Sequence, residues 1–301
     1  VRRSWRASLA AGPHRVRSVV VPGTSRRRGR SAVIVLAVII LLSGGAYVAF
    51  RRVAPLLAPG SGCAVKTHGQ VFRLDPGQAA VAATIAGVAR RDALPAHAVT
   101  VAYAAALQES KLQNLRFGDR DSVGVFQQRP SQGWGTTRQL EDPIYATNKF
   151  FQALTRVPRY QQIPVYKAAQ AVQRSADGTA YIQYQQMAAG LSLGFTGHDP
   201  RSVWCWYDRH SLGRTRLTAA SQGLTRTFGP LPVHAATDPK LTVAVPHPSE
   251  GWSVAAWLVS YAPRYGIRQV RYGHYEWRAA KGANGWTRDR SPAPAGAIQL
   301  G

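Results

Sequence analysis

A chain of 301 residues has room for one large or two modest domains with real cores. Its 45% hydrophobic content excludes a wholly disordered protein, and a formal charge of +24 suits a polyanionic neighbour such as nucleic acid, anionic lipid or an anionic wall polymer. No zinc finger, RNA-binding signature or aromatic–basic stacking pattern supports the first, so no nucleic-acid partner is expected.

The charge is uneven: residues 1–52 carry eleven arginines and no acid, and the remainder carries 27 bases against 14 acids. Residues 1–31 read as a basic cytoplasmic tail. Ala32–Phe50 is an uncharged apolar run of 19 residues, long enough for a hydrocarbon core of about 30 Å. Nine arginines precede it and two follow, which orients the N-terminus to the cytoplasm and everything beyond Arg52 to the outside. Residues 32–50 are therefore expected to be a single-pass signal anchor in the lipid bilayer of the cell membrane. The alternative is a secreted protein, because Val33–Leu42 has the length of a signal-peptide core and Gly44 and Ala46 suit a cleavage site. Both readings place the rest of the chain outside the membrane.

Residues 51–62 are Pro/Gly-rich and read as a linker. A helical domain is expected over residues 63–205. Asp75-Pro76-Gly77-Gln78 combines an N-cap, a first-position proline and a capping-box glutamine, and predicts a helix to about Arg91. Pro95 opens a second, nearly all-apolar helix, Asp142-Pro143 a third, Pro164 a fourth, and Asp177 a fifth that reaches about Leu193. Between Asn114 and Arg138 there are glycines and no helical period, so a structured loop is expected. Residues 206–239 read as a second linker. Residues 240–301 carry β-like runs at Leu241–Val245, Arg268–Tyr272, Tyr275–Arg278 and Ala297–Leu300 around one amphipathic helix at about Trp252–Tyr265. The expected class is α+β, with a mainly helical domain behind the anchor and a small α+β module after it. Cys63 and Cys205 bracket the helical domain, and an even cysteine count outside the cell points to a disulfide, with two buried thiols as the alternative.

Glu109 follows the apolar run of the second helix in Gln108-Glu109-Ser110-Lys111-Leu112, and Ser122-Val123-Gly124-Val125-Phe126-Gln127-Gln128-Arg129-Pro130 comes soon after. Glu-Ser-x-Leu at a helix end, followed by Gly-x-x-Gln and a nearby proline, resembles the lytic transglycosylase and goose-type lysozyme branch of the lysozyme superfamily. The longer stretch LQESKLQNLRFGDRDSVGVFQQRPSQGWGT…DPIYATNKFF…AAQAVQRS is similar to secreted transglycosylase-like domains of high-GC Gram-positive bacteria. The resemblance covers about Cys63–Cys205 and implies a lysozyme-like fold that binds and cuts peptidoglycan glycan strands between MurNAc and GlcNAc. It makes Glu109 the catalytic acid, and Ser110, Gly124 and Gln127 saccharide-binding motif positions. Gly124 would keep the loop backbone close to Glu109 or the sugar, with an ordinary turn as the alternative, and for Gln127 the alternative is a side chain that only satisfies backbone groups of the loop. The physics agrees, since glycosidic cleavage needs a carboxylic acid that can hand over a proton. A helix C-terminus backed by apolar residues disfavours the charged form of a glutamate.

Where transglycosylases carry an Ala-Tyr-Asn-like motif this chain has Gln170 and Gln173, with Tyr181 beyond them as the expected cleft aromatic. Tyr103, Phe126, Trp134, Tyr145 and Tyr166 are further candidates to stack on sugars, although more of these aromatics are expected in the core than in the cleft. Gly118-Asp119-Arg120 resembles the Gly-Asp-Arg of goose-type lysozymes, which makes Asp119, then Asp121, the candidate for positioning water; an aspartate turn in a loop is the structural alternative. With such a base the protein is a muramidase; without one, Glu109 acts as acid and then base and the sugar's own hydroxyl closes an anhydro ring. The third reading is a non-catalytic peptidoglycan-binding or scaffold protein. No metal or cofactor is expected: His247-x-x-Glu250 and His274-x-Glu276 match no zinc spacing. The 240–301 module is faintly similar to a domain of cell-wall enzymes related to zinc carboxypeptidases, without evident metal ligands, and reads as a wall-binding or packing module.

Overall fold

The structure is a computed structural model that describes residues 60–173, 179–235 and 240–301. The basic tail, the 32–50 segment and most of the first linker lie outside the described residues. Among those described, no helix is long and apolar enough to cross a membrane.

The fold is α+β. It opens on a hairpin, β1 (Gly62–Thr67) and β2 (Gln70–Leu74), which reverses at His68-Gly69. Helix α1 (Pro76–Arg91) starts where the capping box predicts, with the Asp75 N–H donating to Gln78 Oε1 at 2.7 Å. Pro95 caps α2 (Ala96–Ser110), and the Asp142 carboxylate accepts the Ile144 N–H at the start of α3 (Pro143–Leu154). Helix α4 (Val165–Gln173) follows Pro164. Asp177, expected to open the fifth helix, lies outside the described residues; after it a 3-10 segment, Thr179–Tyr184, leads into α5 (Gln185–Phe195).

Strand β3 (Val203–Trp206) then returns to pair antiparallel with β1, which completes a sheet of order β2-β1-β3. Cys63 and Cys205 stand opposite each other in this register, are fully buried, and form a disulfide. Neither β1 nor β3 was expected, because strands whose facing cysteines lie 142 residues apart carry their evidence in each other.

The stretch 206–239, read as a linker, contains helix α6 (Leu217–Phe228), whose Ala220, Leu224 and Phe228 are buried. This face lies against α1 so closely that a side chain at Gly87 would collide with Thr227 and Phe228. Beyond it, β4 (Val233–Ala235), β5 (Leu241–Ala244), β6 (Gln269–Tyr272), β7 (Tyr275–Arg278), β8 (Thr287–Arg288) and β9 (Ala297–Leu300) form an antiparallel sheet of order β4-β5-β9-β6-β7-β8. Helix α7 (Pro248–Ser260) packs on α1, α5 and β3 as well as on this sheet. Arg90 pairs with Glu250 at 3.0 Å, the Thr84 and Tyr261 hydroxyls meet at 2.7 Å, and Ser253 Oγ donates to the Phe195 carbonyl. The described residues from Gly60 on belong to one compact unit, and the C-terminal segment shares its core with the helices. Helix α1 is buried on nearly every side because it runs between α2, α3, α6 and α7.

Candidate active site

Helix α2 has no polar face until its last turn. Val99, Val101, Tyr103 and Leu107 are buried, and the first carboxylate in the helix is Glu109. The helix stops at Ser110, because Lys111 and then Leu112 take left-handed backbone angles (φ 56° and 60°). Leu112 turns into the core, while the Lys111 carbonyl accepts Gln78 Nε2 at 2.7 Å. Glu109 is thereby held on a rigid helix end and partly open to solvent.

One partner of its carboxylate comes from the segment after α4. Tyr181 Oη donates to Glu109 Oε1 at 2.9 Å, and the tyrosine itself is only 1% exposed. Tyr181 was expected to stack on sugar. The structure instead seats it in the core, with its hydroxyl orienting the candidate acid. Around the same helix end, Lys111 Nζ bonds the Tyr184 hydroxyl and lies 4.5 Å from its ring centre, and Gln183 Nε2 reaches Gln108 Oε1 at 3.5 Å.

The loop from Asn114 to Arg138 is fixed by side-chain hydrogen bonds to its own backbone. Ser110, implied as a sugar contact, is buried at 5% exposure, and its hydroxyl donates to Val125 O at 2.7 Å and Ala106 O at 3.1 Å. It ties the loop to the helix. Gly124 was expected to let the backbone approach Glu109 or the sugar. Its φ of +80° and its fit against the Leu140 carbonyl, where a Cβ would fall inside contact distance, show that it packs against the turn before α3. Gln127 Nε2 donates to Gly124 O at 3.1 Å and Phe117 O at 3.4 Å, while its Oε1 accepts the Ser122 hydroxyl at 3.0 Å. Those bonds commit the motif glutamine to the loop. Gln173, at the end of α4, donates to Phe126 O at 2.9 Å and closes the same wall.

The two aspartates separate cleanly. Asp121 accepts from Arg129 Nε at 2.7 Å, from the Ser131 N–H at 2.7 Å and from the Ser131 hydroxyl at 3.0 Å. The Arg129 guanidinium, with the Ser131 amide behind it, holds this carboxyl well below the usual carboxylate range. Asp121 is thus a loop clasp. The Asp119 side chain is 93% exposed, and its ion pair is with the neighbouring Arg120 at 4.0 Å.

Of the candidate aromatics, Tyr103 and Phe126 are core. Tyr103 donates to Ala82 O at 2.8 Å, and Phe126 stacks on Phe150 at 4.5 Å. Trp134, Tyr145 and Tyr166 keep partial exposure. Sequence reasoning missed Phe117, which is 74% exposed although its carbonyl is tied to Gln127. An aromatic flanked only by polar and glycine residues, in Arg116-Phe117-Gly118-Asp119, was the available signal.

No family model and no curated protein matches the chain. The chemistry of the site therefore rests on its geometry and on the motif residues. Among the described residues, no group of three His, Cys, Asp or Glu is placed to hold a metal ion. Glu250 pairs with Arg90, and Glu276 with Arg278 at 2.9 Å and Gln269 at 2.8 Å, so both carboxylates of the His–Glu pairs are taken by other partners.

Proposed function

We propose that the protein is a peptidoglycan lytic transglycosylase, held to the membrane by residues 32–50 and facing the cell wall, in which Glu109 protonates the glycosidic oxygen between MurNAc and GlcNAc. The observation that carries this reading is Glu109, the single acid of α2, at the end of an apolar helix, oriented by a buried tyrosine and bordered by a loop whose backbone is locked. Mere glycan binding has no need of so positioned an acid. The same group then serves as base: it recovers the proton from the C6 hydroxyl of the muramic residue, which closes on C1 and leaves a 1,6-anhydro end.

A hydrolytic muramidase is the second reading, and the exposed Asp119 keeps it open, since Asp121 is already bound three ways. Mass spectrometry of muropeptides released from purified sacculi by the full chain tests both. Anhydro ends are expected, with Glu109→Gln lowering the rate by about 10²–10⁴-fold, the range of general acid–base catalysis. Reducing ends that disappear in Asp119→Asn would convert the assignment to a muramidase. Full activity in Glu109→Gln, or saturable glycan binding with no cleavage by the parent chain, would remove the catalytic reading.

A further inference from the structure

A cavity of about 730 Å³ lies over the face of the six-stranded sheet, with Tyr207, Leu212, Lys240, Arg268, Arg271 and Arg278 among its walls. None of its lining residues belongs to the surroundings of Glu109. The strand pattern explains why one face is charged. Val270, Tyr272, Trp277 and Ile298 are buried, so their neighbours Gln269, Arg271, Glu276, Arg278 and Gln299 stand on the opposite face, paired across strands as Gln269–Arg278 and Arg271–Glu276.

The four cations are not equivalent. Arg271 is matched to Asp289 by contacts of 2.7 and 3.2 Å, and Arg278 to Glu276 at 2.9 Å, which orients both guanidinium groups and offsets their charge. Arg268 and Lys240 have no ion pair among the described residues, and both are exposed. Among the described residues the lining contains no aspartate or glutamate. A concave site with an excess of one charge, here that of Arg268 and Lys240, concentrates potential and attracts the opposite ion. Its volume falls in the range of about 300–1,000 Å³ that holds a small organic molecule, and Tyr207, Leu212 and Leu300 offer it apolar wall.

We propose that this cavity binds a small organic anion, whose carboxylate or phosphate meets Arg268 and Lys240 while its apolar part lies against Tyr207 and Leu212. The proposal does not depend on the glycan-cleaving reading of Glu109 and stands if that reading fails. Titration calorimetry on the full chain in mild detergent, with inorganic pyrophosphate, citrate and N-acetyl-dialanine as separate probes, tests it and tells a phosphate ligand from a carboxylate one. At least one probe should saturate, and the double variant Arg268→Ser/Lys240→Ser should weaken it by about tenfold or more. Arg73→Ser, a change to an exposed arginine on β2, should leave it unchanged. Both cavity substitutions are at the surface, so the melting temperature should stay within the scatter of the parent. Absence of saturation by all three probes, or a smaller loss in the double variant, overturns the proposal.

Discussion

Replacing Gly124 by alanine separates two reasons for a glycine in the loop beside Glu109. Its φ of +80° is one; a side chain there carries about 1–2 kcal/mol of backbone strain. The other is space, because a Cβ would press on the Leu140 carbonyl oxygen and carbon, which belong to backbone and cannot rotate away. Overpacking of that kind adds about 1–3 kcal/mol, so Gly124→Ala should lose about 2–5 kcal/mol. Gly133 is the control. It has nearly the same φ, +78°, but nothing lies within 4 Å of its would-be Cβ. Gly133→Ala should therefore lose only the strain, about 1–2 kcal/mol. At about 2–4 °C per kcal/mol for a unit of this size, thermal unfolding of the full chain should fall by about 4–20 °C for Gly124→Ala and about 2–8 °C for Gly133→Ala. The larger loss should bring a loss of cleavage, because the clash sits one residue before the Val125 carbonyl that Ser110 holds at 2.7 Å. Equal melting temperatures for the two variants would refute the packing account of Gly124.

Tyr181→Phe removes the donor to Glu109 and should cost about 1.5–3 kcal/mol of transition-state stabilisation, or about 10–150-fold in kcat/KM, with secondary structure intact by circular dichroism; a parental rate would show that the hydroxyl does not position the acid. Asp121→Asn should destabilise the protein at neutral pH. Because the folded carboxyl titrates below its unfolded value of about 3.9, the wild-type advantage should be constant above about pH 5 and shrink as pH falls below about 4. Urea denaturation at pH 6 and pH 3 measures this, and an advantage that grows in acid would reverse the assignment. Cys63 and Cys205 should resist alkylation until reductant is added, and reduction should cost up to about 5 kcal/mol for a loop of 142 residues; labelling of untreated folded protein would contradict the bridge.

The helix starts were legible because their signals are local. Asp75 with Gln78, and Asp142 with Pro143, announce their helices within four residues, and the structure uses them so. Glu109 at the end of α2 was legible for the same reason. Helix α6 was hidden by its Ser, Thr and Arg content, although Ala220, Leu224 and Phe228 recur at a spacing of four and could have exposed it. The roles around the site were less legible than its composition. Ser110, Gly124 and Gln127 stand in the expected motif, but which of them faces a ligand depends on where Val125, Leu140 and Phe117 return in space. Tyr181 shows the limit most clearly: sequence offered an aromatic near the acid, and only the fold decides between a ring face turned to sugar and a hydroxyl turned to Glu109.

The disulfide also settles how mechanical load would pass through the molecule. Cys63 sits at the second residue of β1, immediately after the point where the described chain begins, and its partner sits on β3, just past the last helix of the Glu109 region. Tension applied at Gly60 meets the bridge before it meets α1. It is handed to β3 and onward to the segment after Cys205, so the helices that carry Glu109 and Tyr181 form a closed loop off the line of force. A pull on the chain before Gly60 would in this way leave the geometry of Glu109 undisturbed under strain that the backbone alone would transmit straight into α1.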